Sequence, residues 1–115
     1  YPLAVVDWQS IAYGCGLNDA SYFVGTSLDP AERAKSDENL LRRYFDALRD
    51  YEIEISWEDC WKYYCHNAPA GLIMAVIASM IVGETDRGND MFMVMAQRSA
   101  QMCHDLNTID VIKQG

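Results

Sequence analysis

One short strand-like run ahead of an otherwise helical chain most limits what this sequence can fold into. Leu3–Val6 is apolar and contains two β-branched valines, a composition typical of a buried strand. A strand by itself leaves its backbone donors and acceptors unpaired, and the remaining residues hardly offer it a partner. We therefore expect residues 1–115 to form the C-terminal part of a larger fold, with the strand as the remnant of a sheet.

Composition indicates one globular domain and disfavours two classes of partner. Half of the residues are hydrophobic and 23% are charged, which excludes wholesale disorder. Seventeen acidic residues against nine basic ones give a net charge of −8. No cluster of Lys and Arg is dense enough to follow a phosphate backbone. We therefore expect no nucleic-acid partner and no docking on an anionic membrane.

Neither a membrane span nor a zinc site is expected. The longest apolar stretch, Ala68–Val82, has 15 residues, whereas a bilayer requires about 20. Four cysteines stand at positions 15, 60, 65 and 103. Their spacing to each other and to the two histidines does not give the pairs about two to four residues apart that zinc sites use. We predict reduced, mostly buried thiols in a cytoplasmic protein.

Capping residues and breaks predict five or six helices after Asp7. The predicted starts are Asn18 or Asp19, Asp29 followed by Pro30, Ser56, Pro69, Asn89 or Asp90, and Asn107. The first helix should end near Thr26, the fourth near Val82 and the fifth near Leu106. Gly14 and Gly16 should allow a tight turn before the first helix. The fourth helix is apolar around its circumference, so it should be central.

The second helix should have one apolar and one solvated face. The apolar positions at helical spacing are Leu40, Leu41, Tyr44, Phe45, Leu48 and Tyr51. The opposite positions, which we expect to face solvent, are Asp37, Glu38, Arg42, Arg43, Asp46 and Asp50. Met91, Met93, Met95 and Met102 also recur at helical spacing and should be core residues of the fifth helix.

Asp7 is the strongest candidate for chemistry. It is a carboxylate at the end of the predicted strand, just before a turn, and Mg²⁺ often takes one or two protein carboxylates together with phosphate oxygens. The alternative is that Asp7 caps the turn that follows it. Chemistry alone does not separate these two interpretations.

The residues around Asp7 resemble a known group of phosphotransferases. Residues 5–9 read Val-Val-Asp-Trp-Gln, and residues 14–23 read Gly-Cys-Gly-Leu-Asn-Asp-Ala-Ser-Tyr-Phe. This pattern resembles the aminoglycoside phosphotransferase and choline kinase-like superfamily, and within it the ecdysteroid kinase-like phosphotransferases. Arg33 and the segment around Leu40, Tyr44 and Leu48 also resemble the helix that follows the family motif. Ser21 departs from the pattern, because the family often has Ala there.

The resemblance implies the helical C-lobe segment of a protein-kinase-like (α+β) fold, which is mainly α here. It implies an ATP- and Mg²⁺-dependent kinase that acts on a hydroxyl of a small-molecule substrate, with Asp7 as the metal ligand. Trp8 and Gln9 would support Asp7, and Asp19 would steady the catalytic-loop backbone. The family's nucleotide-binding N-lobe and its His-Gly-Asp catalytic loop are absent from these residues. We expect the chain to need that N-terminal part of the same protein and to be inactive alone.

An acidic and aromatic stretch offers a candidate acceptor site. Glu58 lies between Trp57 and Trp61, and such a wall suits a cationic or polyhydroxylated substrate. The alternative is a solvated loop followed by a helix whose aromatic side chains pack inward. Two other functions also stay open for the chain, a non-catalytic helical interaction module and a nucleotide-binding pseudokinase. A homo-oligomer formed through exposed apolar surface is a further expectation.

Overall fold

A computed structural model describes residue 4 and residues 11–114, which form a bundle of six helices. The helices are α1 (Gly16–Ser27), α2 (Pro30–Asp50), α3 (Trp57–Asn67), α4 (Ala70–Ile81), α5 (Asp86–Asp105) and α6 (Thr108–Gln114). The described part of the chain contains no strand, in agreement with a mainly α class. Of the strand predicted over 3–6, only Ala4 is among the described residues, so that prediction is not tested.

Side-chain caps begin α2 and α3 at the predicted residues. The Asp29 carboxylate accepts a hydrogen bond of 2.9 Å from the Ala31 amide, with Pro30 at the first helical position. The Ser56 hydroxyl accepts a hydrogen bond of 3.0 Å from the Asp59 amide. These caps satisfy amides that the first helical turn leaves without a partner. Both predicted starts are confirmed.

Two other predicted starts are wrong by three to five residues. α1 begins at Gly16 after Cys15, without a side-chain cap, so Asn18 and Asp19 lie in its first turn. α5 begins at Asp86, because the Thr85 hydroxyl accepts a 3.0 Å hydrogen bond from the amide of Gly88. Thr is also a favourable cap, and Asn89 and Asp90, the predicted caps, therefore lie within the helix.

α1 forms the centre of the bundle and contacts α2, α3, α4 and α5. The main cluster of buried apolar residues consists of Leu17, Leu41, Cys60, Tyr64, Cys65, Ala68 and Met102. Small residues let α1, α4 and α5 approach closely. A side chain on Gly71 would collide with Ser99, and one on Gly25 would reach within 2.6 Å of the Met102 sulfur. Packing at this junction therefore depends on the absence of Cβ atoms.

A buried ionic network connects α2, α3 and α5, and it corrects the prediction for Asp37. Asp37 is 4% exposed rather than solvated. It accepts hydrogen bonds from Arg33 and, at 2.7 Å, from the Tyr64 hydroxyl. Arg33 is fully buried and also donates to Asp105. The carboxylate lies in the interior because a cation and a hydroxyl satisfy it there.

α4 is not central as predicted, although its apolar composition is confirmed. Only Gly71 and Ala75 of this helix are buried. Met91 and Met93 of α5 are likewise exposed, and of the four methionines predicted as core only Met102 is fully buried. The small residues of α4, rather than its large ones, face the bundle, since close packing on α1 and α5 requires them. Its large apolar side chains are therefore left on the surface.

The segment Trp57–Ile81, which includes α3 and α4, has the length and composition of a membrane-crossing helix. Over an 18-residue stretch of this segment the mean hydropathy reaches 1.3, and 28% of that stretch is buried in the bundle. Core helices of soluble proteins meet the same criterion, so length and composition alone carry little weight here. The Asn67–Pro69 break between the two helices is where the sequence predicts it.

Candidate functional site

The structure covers part of the predicted site. Asp7, Trp8 and Gln9 lie outside the described residues, so the metal-ligand prediction for Asp7 stays a prediction. Asp19 lies in the first turn of α1, and its side chain is exposed. Asp19 is not the helix cap that the sequence predicts, so its carboxylate is accessible at the N-terminal end of α1.

A groove between α1 and α2 begins at this end of α1. Its volume is about 550 Å³. Its lining is mostly apolar and consists of Gly16, Asp19, Ala20, Phe23, Val24, Leu28, Leu40, Leu41, Tyr44 and Tyr64. Asp19 supplies the one carboxylate among these residues. An apolar groove with few polar groups at one end is typical of small-molecule sites.

Gly16 determines how closely α2 approaches the start of α1. A Cβ atom built on Gly16 would stand 2.5 Å from the Tyr44 hydroxyl oxygen, so a larger residue would push Tyr44 away. Gly14 has open space around it, and no described glycine has a positive φ. The prediction that this pair serves a tight turn therefore has no support in the backbone angles. Gly16 instead serves a helix contact.

Burial and nearby negative charge tune the polar groups around the groove. Burial, followed by the charges of Cys15, Cys60 and Asp19, raises the pKa of the Tyr44 hydroxyl. Burial also raises the pKa of Cys60, and it raises the pKa of Cys65 to about 11. Tyr44 is therefore a neutral hydroxyl that can donate a hydrogen bond, and both thiols are protonated at neutral pH. Cys60 and Cys65 are buried, as predicted, whereas Cys103 is half-buried and Cys15 is exposed.

The predicted acceptor site at α3 contains two packed aromatic residues and one exposed acid. Trp57 contacts Phe45 edge-on with ring centroids 5.6 Å apart, and the Arg42 guanidinium lies 3.5 Å above the Trp57 ring. Trp61 packs beside Trp57 at 5.9 Å. Both tryptophans are half-buried, and Glu58 is exposed on the surface. The packed rings favour the inward-packing interpretation, while Glu58 stays open to solvent.

A wide cleft beside these residues does not include them. The loop after α2 and the start of α3 line it, through Arg49, Glu52, Ile53, Glu54, Ile55, Ser56, Asp59 and Tyr63. Glu52 has a positive φ of 59° in this loop. Trp57, Glu58 and Trp61 are therefore close in sequence to the cleft but are not part of its lining.

Sequence reasoning missed two features of this region. Helical periodicity places Tyr44 on the apolar face of α2 and gives no sign that its hydroxyl reaches Gly16. The same periodicity places Asp37 on the solvated face, and its spacing of four residues from Arg33 is the one sequence signal of the Arg33–Asp37 ion pair. Among residues 11–114, no group of three or more His, Cys, Asp or Glu side chains could hold a metal ion. Asp7 lies beyond that range.

Comparison with known proteins gives a family match over the N-terminal part of the chain. Residues 2–56 match the family model of the Ecdysteroid kinase-like family, which confirms the resemblance seen in the sequence. The matched segment includes Asp7 and Asp19, all of α1 and α2, and ends at Ser56, the cap of α3. No curated protein and no solved structure matches the chain. The match points to a kinase-like phosphotransferase family.

Proposed function

We propose that this chain supplies the helical C-lobe segment of an ATP- and Mg²⁺-dependent phosphotransferase that acts on a hydroxyl of a small molecule. The family match over residues 2–56 carries this proposal. It covers the Asp-Trp-Gln segment at residues 7–9 and the Gly-x-Gly-x-x-Asp segment at residues 14–19. The proposal includes a cytoplasmic location for the intact protein, where its cysteines would stay reduced.

In this proposal Asp7 holds the metal, with Trp8 and Gln9 supporting it. When bound there, Mg²⁺ would supply positive charge that neutralises the negative charge of the nucleotide phosphates. An aspartate from the N-terminal part of the same protein would orient the acceptor hydroxyl. The rate gain would then come mainly from positioning and charge stabilisation.

The exposed carboxylate of Asp19 supports its proposed role beside the catalytic loop. It lies at the free end of α1 and does not cap the helix, so it can accept hydrogen bonds from backbone amides of a neighbouring segment. The adjoining α1–α2 groove and the Tyr44 hydroxyl offer an apolar wall with one polar group beside it. Both features lie within the part of the chain that matches the family.

Replacing Asp7 in the full-length protein tests this function. We expect Asp7→Asn to lower ATP-dependent phosphorylation of a panel of small hydroxyl compounds by about 100-fold or more, because a metal-ligand charge is lost. Asp46→Asn is the matched control, since Asp46 is an exposed carboxylate on α2. Its activity should equal that of the wild type. Circular dichroism should show the same helix content in all three proteins.

The remaining outcomes separate the alternative functions. Wild-type activity in Asp7→Asn would refute the metal assignment. Nucleotide binding without transfer by the wild-type protein would indicate the degenerate kinase-like protein. Neither binding nor transfer, together with no His-Gly-Asp motif upstream in the coding sequence, would indicate the helical interaction module. The exposed apolar face of α4 is the specific observation that favours that last alternative.

A further inference from the structure

The outer side of α4 is apolar where a surface helix would ordinarily be polar. Gly71 and Ala75 face the bundle, and the large side chains on the other side are exposed. We call this surface the α4 face; it consists of Ile73, Met74, Val76, Ile77, Met80, Ile81, Val82 and the adjoining Met93 of α5. A polar outer side is the normal pattern for a helix on a soluble domain. The α4 face therefore calls for a covering partner.

The α4 face continues onto α5 across a mostly apolar groove, in whose lining Glu84, in the loop between the two helices, is the one charged residue. A groove of about 420 Å³ separates the two helices, with Val76 and Ser79 on one side and Phe92 and Met93 on the other. The Ser79 hydroxyl donates a 2.8 Å hydrogen bond to the Val76 carbonyl of its own helix, so it needs no further partner. Helix α4 itself contains no charged residue. Covering this surface would thus leave no charge of α4 buried.

The size of the α4 face matches one half of a stable protein interface. Its eight residues expose between 47% and 79% of their surfaces. Taking about 200 Å² for a fully exposed residue of this size, they amount to roughly 900 Å², against about 800 Å² per partner in a standard interface. The largest apolar patch on a typical monomer is about 300–600 Å². The surface is therefore large enough for stable association.

We propose that the α4 face is a homodimer interface in which α4 of one copy packs against α4 of a second copy. A two-fold interface brings the same patch together on both sides, and an uncharged face is complementary to itself despite the net charge of −8. The same net charge disfavours an anionic membrane as the occupant. This proposal is independent of the phosphotransferase function, because α4 lies outside residues 2–56.

Mass measurement at several protein concentrations tests the dimer. Light scattering after gel filtration of the full-length protein at a high loading concentration should give twice the mass of one chain and should show dissociation on dilution. Ile77→Glu and Met80→Glu place a charge in the centre of the α4 face. We expect each to weaken the dimer by about 100-fold or more, because two like charges would meet across the axis.

Ile109→Glu is the matched control, because Ile109 is 67% exposed on α6, outside the α4 face. It should form the dimer with wild-type affinity, and circular dichroism should show equal helix content in all variants. A wild-type protein with the mass of a single chain at every concentration would overturn the proposal. So would dimers of unchanged affinity in both α4 variants, or aggregates without a discrete mass. Binding of monomers to phosphatidylcholine vesicles, lost in Met80→Glu, would identify a lipid surface as the occupant instead.

Discussion

Removing the buried guanidinium of Arg33 should destabilise the fold more than any exposed charge change. Arg33 is fully buried and donates to Asp37 and Asp105, while Tyr64 donates to the second Asp37 oxygen. Arg33→Met keeps the aliphatic stem but leaves the Asp37 carboxylate in the interior without a cation. Loss of one partner of a buried pair costs about 3–5 kcal/mol. For a domain with about 5–15 kcal/mol of total stability, that is a large fraction.

Urea unfolding followed by circular dichroism measures this cost. At about 4 °C per kcal/mol, Arg33→Met should also lower Tm by about 12–20 °C. Arg43→Met is the control, because Arg43 is an exposed arginine on the same helix, and its effect should stay within about 0.5 kcal/mol. The double variant Arg33→Met, Asp37→Leu removes both charges. Its loss of unfolding free energy should therefore be smaller than the summed losses of the two single variants by about 0.5–3 kcal/mol.

Two results would refute the reasoning about this network. A loss below about 1 kcal/mol in Arg33→Met would mean that the pair is as weak as a surface ion pair. Strict additivity in the double variant would mean that Arg33 and Asp37 do not interact in the folded chain. Either result would remove the Arg33–Asp37 ion pair within α2 as a source of stability.

Two further predictions concern acidity and the acceptor. Burial raises the pKa of Asp37 above 3.8 despite the hydrogen bonds from Tyr64 and Arg33. Burial also acts to raise the pKa of Asp105, but the hydrogen bonds from Gln101 and His104 and the charge of Arg33 outweigh it and lower that pKa. The folded chain therefore keeps the Asp37 proton to higher pH than the unfolded chain, so the unfolding free energy of the wild type should fall relative to that of Asp37→Asn as pH rises just above 3.8. For Asp105 the sign is opposite: the unfolding free energy of the wild type should rise relative to that of Asp105→Asn as pH increases just below 3.8. Urea titrations across the acidic range measure both slopes, and slopes of equal sign would contradict the assignment. The hypothesis that Glu58 contacts the acceptor predicts that Glu58→Gln in the full-length enzyme raises KM severalfold with kcat unchanged, while Glu84→Gln changes neither; an unchanged KM would exclude the contact.

Local capping chemistry is the part of the fold that the sequence predicts well. Asp29 and Ser56 are followed directly by helices whose amides they cap, and the break at Asn67–Pro69 is in place. These features depend on contacts between residues a few positions apart, so the local sequence is enough to predict them. The start of α5 is misplaced because Thr85 and Asn89 are both acceptable caps, and the start of α1 because that helix begins after Cys15 without any side-chain cap. Local chemistry alone does not choose between Thr85 and Asn89.

Which face of a helix is covered cannot be read from periodicity alone. Asp37 belongs by spacing to the charged face of α2, yet Tyr64 of α3 and Arg33 enclose it. In α4 apolar residues occur on every side, and the small ones pack against α1 and α5, so the large apolar side chains are left exposed. In both cases the outcome depends on the shape of a distant helix, which a period of 3.6 residues does not encode.

The candidate site shows the same division between local and distant information. The motif around Asp7 and Asp19 is contiguous, so it suffices for the family match over residues 2–56. The groove beside Asp19 is built from α1 and α2 together, and its width depends on how closely Tyr44 approaches Gly16. A glycine at position 16 suggests a turn when only its neighbours are considered. The contact 28 positions later in the chain gives it another reason, since a Cβ atom there would displace the Tyr44 hydroxyl at the end of the groove. This role of Gly16 depends on a residue of another helix, so the two are related only in the folded chain.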